Sequence, residues 1–225
     1  MLSIERTSRP PRHQRGPRPD RTAPRWRRSN PFATRFTRPG ALRFAADNPS
    51  DIRGLCERFD QLHQAAIVGP HGNGKSTLLQ TLLVELRERY AQVHLWRLQA
   101  GRRVPLSLLG HILRCRDDSL TIIDGFEQLP APLRRGIVHW VRLRHGRLLV
   151  TAHRDQPPLS TLWRAEIDYH LARRLTLRLL ADYGDVRPAM MACFEAHWQR
   201  GQRNLRNLWF DMYDDFEHHR RTAAR

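Results

Sequence analysis

The chain's 225 residues give room for one α/β domain with an appendage, and its 40% apolar content suffices for a buried core. No run approaches the ~18 consecutive apolar residues of a membrane span, and no apolar stretch follows the basic N-terminus, so neither a membrane helix nor a secretory leader is expected. The formal charge is +17, and three widely spaced cysteines suggest neither a disulfide framework nor a zinc site, which fits a reducing cytoplasm.

Residues 1–40 carry eleven arginines against Glu5 and Asp20, a net +9, and leave 28 basic and 20 acidic residues for the rest, a net +8. Residues 1–29 are rich in Arg, Pro and Ser. They cannot bury enough apolar surface to offset chain entropy, which predicts a basic, disordered arm. Its charge suits nucleic acid, anionic headgroups or an acidic protein, and a plain solvated tail accounts for it equally. From Asn30-Pro31-Phe32 to Arg38-Pro39-Gly40, the aromatics and the Pro-Gly turn predict an extended segment laid on the body. A helix is expected over Asp51 to Gln61, capped by Asn48 or Ser50, with Ile52, Leu55, Phe59 and Leu62 on one face.

The short apolar run Ala65–Val68 then leads into Gly69, Pro70, His71, Gly72, Asn73, Gly74, Lys75, Ser76 and Thr77, which fits the phosphate-binding pattern of Gly, four residues, then Gly-Lys-Ser/Thr. Glycines let the backbone curl so that successive N–H groups face phosphate oxygens, and the following helix adds its positive dipole end. That helix carries Leu78, Leu79, Leu82, Leu83 and Leu86 at helical spacing. Lys75 would reach the β- and γ-phosphates, and the Ser76 hydroxyl would sit on Mg²⁺. Lys75 is the only lysine in the chain, the other 38 basic residues being arginines. Arg, a planar fork, does not replace a compact ammonium at this position.

Val93, Leu95 and Leu98 alternate as a second strand, and Pro105 to Arg114 suggests a short helix. Leu120-Thr121-Ile122-Ile123-Asp124 is a buried strand ending in a carboxylate, which would hold Mg²⁺ beside the phosphates. Glu127 follows as a candidate to position water, or equally as a surface acid. A helix over Pro132 to His145 would turn Leu133, Ile137, Trp140 and Val141 inward. Arg147 to Thr151 is another buried strand, with Thr151 and His153 as candidates to sense a γ-phosphate and Arg154 to touch phosphate, or equally as polar loop residues after a core strand. From Gln156 onward the pattern is helical: an edge strand over Glu166 to His170, helices over Leu171–Leu180 and Pro188–Trp198, and a last helix with Leu205, Leu208, Trp209, Met212, Tyr213 and Phe216 on one face.

Taken together, Gly69–Thr77, Ile122–Leu129, Leu149–His153 and Arg203-Asn204-Leu205-Arg206 resemble P-loop NTPases of the AAA+ and STAND type, in particular a small bacterial family of compact AAA-like ATPases. The resemblance spans about residues 30 to 218, and Asn30-Pro31-Phe32 with Arg35 and Arg38-Pro39-Gly40 shares in it. It implies an α/β fold, a three-layer P-loop NTPase domain with a mostly parallel sheet (ASCE type) and a small C-terminal all-helical lid. The expected organisation is a basic arm over 1–29, an ATP-binding domain over 30–155 and a lid over 156–225. By resemblance Lys75 and Ser76 are Walker A, Asp124 is Walker B, Thr151 or His153 is sensor 1, and Arg206 is sensor 2, reaching from the lid to the γ-phosphate. Phe36 to Gly40 would lie near adenine. The sequence departs in having Gly125 where many members carry Glu, which bears on hydrolysis more than on binding. The expected cofactors are ATP and Mg²⁺, with no Asn-Lys-x-Asp motif to specify guanine. Three readings follow: an ATPase driving a conformational change, a low-turnover switch that holds a nucleic acid or protein partner, or a small-molecule kinase, hinted at only by Arg173-Arg174.

Overall fold

The computed structural model describes residues 29–37, 49–116 and 119–222. Five strands form one sheet: β1 (Gln64–Val68), β2 (Gln92–Arg97), β3 (Ser119–Asp124), β4 (Arg147–Ala152) and β5 (Ser160–Arg164), in the order β2-β3-β4-β1-β5. Every pairing among them is parallel, with Ile67 opposite Thr151 and Arg97 opposite Asp124. Parallel strands need crossovers, and those helices cover both faces of the sheet, which is why the central strands are continuous apolar runs. Alternate β1 side chains go to opposite layers. Ala65 and Ile67 join Leu55, Phe59 and the leucines of α3 (Lys75–Arg89), and Ala66 and Val68 join Ile112 and Ile137. The first layer includes α2 (Pro49–Leu62), and the second α4 (Leu106–Arg114) and α5 (Ala131–Leu143). The architecture is therefore a three-layer α/β P-loop fold.

A separate apolar cluster joins α6 (Tyr169–Leu179), α7 (Arg187–Gln199) and α8 (Leu205–Thr222). Trp209 donates from Nε1 to Thr176 Oγ1 at 3.1 Å inside it, so even its buried polar atoms are paired. Phe32 belongs to this cluster, edge-on to Phe216 at 6.5 Å. Asn30 fixes it there, donating to the Tyr213 carbonyl and to Glu217, each at 3.0 Å.

Four expectations need correction. The segment after Asn30 is not extended: Asn30 Oδ1 accepts from Phe32 N at 2.9 Å, closing a turn that leads into the helical turn α1 (Thr34–Thr37). The edge strand is β5 at Ser160–Arg164, not Glu166–His170, so the chain is not helical from Gln156 onward. Asp168 instead caps α6, accepting from Leu171 N at 2.7 Å, which commits Tyr169 and His170 to the helix. Trp140 is 37% exposed while Val138 is buried, so the inward stripe of α5 is rotated from the one expected. Finally, α2 starts at Pro49, which puts Ser50 inside the helix. Asn48, the Arg38-Pro39-Gly40 turn and the basic arm apart from Ser29 lie outside the described residues. No described helix is long and apolar enough to cross a membrane.

His111 of α4 bonds through Nε2 to Thr121 Oγ1 of β3 at 2.9 Å and lies 4.2 Å from the His94 ring. Burial, helped by His94, pushes its pKa down from 6.5 to about 4. The unfolded chain thus takes up a proton near pH 6.5 that the folded chain refuses until about 4. Stability is fully present above 6.5 and falls between those values. In urea titrations the wild type should lose stability relative to His111→Gln as pH drops through that window, and an equal gap at both ends would contradict this.

Candidate functional site

The C-terminal ends of β1, β3 and β4 lie side by side, and residues just beyond them wall a cavity of about 730 Å³. This is where a parallel sheet with crossover helices leaves an open crevice. The loop after β1 is anchored at both flanks: Gly69 N donates to the Ala152 carbonyl at 3.1 Å, and Ala165 N to the Val68 carbonyl at 2.6 Å. It ends in α3, whose first residue is Lys75.

Lys75 is 8% exposed, and its ammonium donates to the carbonyls of Gly69 at 2.6 Å and Pro70 at 2.7 Å. Burial lowers its pKa, and Arg206 adds to this, while Glu127 and Asp124 pull the other way. The side chain therefore has neighbours of both signs at the cavity floor, and its two carbonyl bonds are of a kind that an anionic ligand can replace.

Asp124 ends β3, and its Oδ1 accepts from Thr151 Oγ1 at 2.6 Å and Ser76 Oγ at 3.3 Å. The Thr151 hydroxyl in turn accepts from Gly125 N at 2.9 Å. Thr151, buried at the end of β4, spends its donor on Asp124 and so acts first as that carboxylate's support. Gly125 has φ +88°, and a Cβ there would sit 2.9 Å from the Leu98 carbonyl. The turn after Asp124 thus demands glycine, which explains why no Glu stands at that position.

Glu127 and His153 meet: His153 Nε2 lies 3.1 Å from Glu127 Oε1. Burial outweighs Glu127 and, together with His71 and Lys75, lowers the His153 pKa, so a neutral imidazole donates this bond at neutral pH. The His71 ring of the loop packs on His153 at 3.5 Å between centroids. Glu127 Oε2 is buried without a hydrogen-bond partner. Among the described residues no group of three or more His, Cys, Asp or Glu could hold a metal.

The first turn of α8 closes the cavity from the side of the helical cluster. Asn204 Oδ1 caps it, accepting from Arg206 N at 3.0 Å and Asn207 N at 3.2 Å. The same amide lies against the loop, because a Cβ on Gly72, at φ +78°, would collide with Asn204 Oδ1 and crowd the Arg206 Cβ at 3.1 Å. Arg206 lines the cavity with Lys75, Ser76, Asp124, Glu127 and Thr151, so the structure brings the sequence-selected polar residues to one place. Arg154 is the exception: it lines a neighbouring cavity. Sequence reasoning did not select Trp163, Ile167 and Leu171, which add apolar surface to the cavity lining. Their only signal was apolar character in a stretch whose elements were misplaced.

No family model matches the sequence, and no curated protein matches it. Among solved structures, a lysine-to-arginine mutant of Thermotoga maritima RuvB is similar with a TM-score of 0.40, at 13% identity over 60% of this chain and 51% of that one. An arginine-to-alanine mutant of the same protein gives 0.39 at 17% identity, with the same coverage. PCH-2 of C. elegans gives 0.35 at 12% identity, over 75% of this chain and 68% of that one. This chain spans about half the length of the RuvB chains it matches, and likenesses this weak say nothing about function.

Replacing Gly72 by Ala should cost about 1–2 kcal/mol for the left-handed backbone and more for the collision with Asn204. Asn204→Gly costs only a few tenths of a kcal/mol as a cap and removes the colliding amide. In thermal or urea unfolding, the double variant should therefore be more stable than the sum of the single changes predicts. Strict additivity would mean that α8 does not press on the loop.

Proposed function

We propose that this chain binds ATP with Mg²⁺ at the cavity above β1, β3 and β4 and hydrolyses it to ADP, using the reaction to drive or time a movement of the helical cluster. The observation that carries the reading is the buried position of the single lysine. Lys75 sits at the helix start after a glycine-rich turn, in a cavity that Ser76, Asp124 and Arg206 also line.

Each residue has a part to play. Backbone N–H groups from Gly72 to Ser76 and the Lys75 ammonium would take the β- and γ-phosphates, with Lys75 exchanging its two loop carbonyls for phosphate oxygens. Ser76 and Asp124 offer a hydroxyl and a carboxylate 3.3 Å apart, the hard oxygen donors that Mg²⁺ takes when phosphates supply the rest of its shell. Once bound, the ion would neutralise charge on the phosphates. Thr151 holds Asp124 in register. Glu127 would orient the attacking water, and Arg206 would read the γ-phosphate from α8. The apolar wall of Trp163, Ile167 and Leu171 suits a base.

A second reading is favoured by one contact. His153 occupies Glu127 Oε1, so the carboxylate proposed to orient water is engaged in the described conformation. A protein held this way would bind nucleotide, turn over little and act as a switch toward a nucleic acid or protein partner. Freed by a partner, Glu127 would restore turnover. The nucleotide site itself is tested by Lys75→Ala, which should abolish the thermal shift given by Mg²⁺-ATP. An unchanged shift would refute nucleotide binding at this loop. Hydrolysis assays on the wild type then separate an ATPase from a switch.

A further inference from the structure

From Gln128 to Arg154 the chain has six arginines and no acidic residue. The fold uses two of them internally: Arg144 Nε donates to the Cys115 carbonyl, and Arg147 donates to the Asp60 carbonyl at 2.9 Å while lying over the Tyr90 ring. The side chains of Arg134, Arg135, Arg142 and Arg154 make no hydrogen bond or ion pair among the described residues. Helix α5 buries Ile137, Val138 and Val141, and its exposed side carries Arg135, His139 and Arg142 at i, i+4 and i+7.

At the N-terminal end of that stripe lies a cavity of about 540 Å³, walled by Arg134, Arg135 and Arg154. Two acids also line it. Asp155 is already taken by Thr161 at 2.9 Å and Arg164 at 2.7 Å, and Glu127 is engaged by His153. Three guanidinium groups around one concavity outnumber its two carboxylates, one of which is already tied to Arg164, and they leave a positive potential that an anion would relieve. One anion does not match the whole surface. The stripe continues from Arg135 to Arg142, about 10 Å along the helix, which asks for a ligand with charges in series.

We propose that this cavity and stripe dock the sugar-phosphate backbone of a nucleic-acid strand, with successive phosphates on Arg134, Arg135, Arg154 and Arg142. Guanidinium forks take phosphates bidentately, and contacts to backbone alone make the binding indifferent to sequence. This surface is formed by residues other than those of the basic arm. Its inner wall is the Glu127–His153 pair, which also lines the nucleotide cavity, so occupancy of either cavity bears on the other, and to the same degree in both directions. That coupling, unlike the docking, rests on the nucleotide reading.

The test is fluorescence anisotropy of a labelled single-stranded polynucleotide with the full chain over a range of salt, comparing wild type with the triple variant Arg134→Gln, Arg135→Gln, Arg154→Gln. The arm is present in both proteins, so the difference reports this surface. At moderate salt the triple variant should bind at least about tenfold more weakly, and its log–log salt slope should be shallower by about 2, roughly 0.7 for each lost contact. The matching Arg→Lys triple should keep the slope. Arg142→Gln, a single exposed change, should lower the slope by about 0.7 even if the triple variant folds poorly. Unchanged affinity and slope in a folded Gln variant would overturn the proposal. So would polyglutamate or phosphatidylserine vesicles that displace the strand equally well with the same arginine dependence. If the wild type binds no nucleotide yet the arginine-dependent salt effect remains, the docking surface stands and the nucleotide reading falls.

Discussion

The site hangs on the carboxylate of Asp124. In the strand order of this sheet, β1 and β3 are not neighbours, because β4 lies between them. A contact between the loop after β1 and the acid at the end of β3 therefore has to pass the end of β4. Thr151 stands at that gap, and its hydroxyl both donates to Asp124 and accepts from Gly125 N. Ser76 comes over from α3 to the same oxygen. Three elements from separate parts of the chain are thus tied to one oxygen atom. Removing the Thr151 hydroxyl would leave a half-buried carboxylate and a backbone N–H short of a partner, a loss of about 1–3 kcal/mol.

Around this node the cavity is built from two bodies of packing. The sheet and its flanking helices supply the loop and the acids, and the cluster of α6, α7 and α8 supplies Arg206 and an apolar wall. Gly72 and Asn204 fit only because one lacks a side chain and the other turns its amide toward its own helix. A shift of α8 would therefore be felt at the loop, and a change in the loop would be felt at α8. That mutual sensitivity is what a reading of phosphate by the helical cluster requires.

Much of this was legible in the sequence. Gly69–Thr77 and the run ending in Asp124 are local patterns whose chemistry depends on neighbours along the chain, so residue order alone exposes them. The leucines of α3 and the apolar face of α8 were legible for the same reason, since helical periodicity is local. What depended on register across the sheet was not. Thr151 looked like a candidate phosphate sensor, and only its position beside β3 shows it bound to Asp124. Nothing in the residue order links Glu127 to His153, and their contact at 3.1 Å follows from the ends of β3 and β4 lying together. The strand β5 was missed because only Leu162 of its five residues is buried, leaving too weak an alternation to separate it from the helices that follow.

The most direct measurement is the Mg²⁺ dependence of ATP affinity by calorimetry, in the wild type and in Asp124→Asn. The asparagine oxygen can still accept from Ser76 and Thr151, so the fold and its ligand-free melting point should be nearly preserved while the charge is lost. The account predicts that Mg²⁺ tightens ATP binding in the wild type and that most of this gain disappears in the variant. An equal gain in both proteins would mean that Asp124 does not serve the ion, and it would contradict the account at its centre.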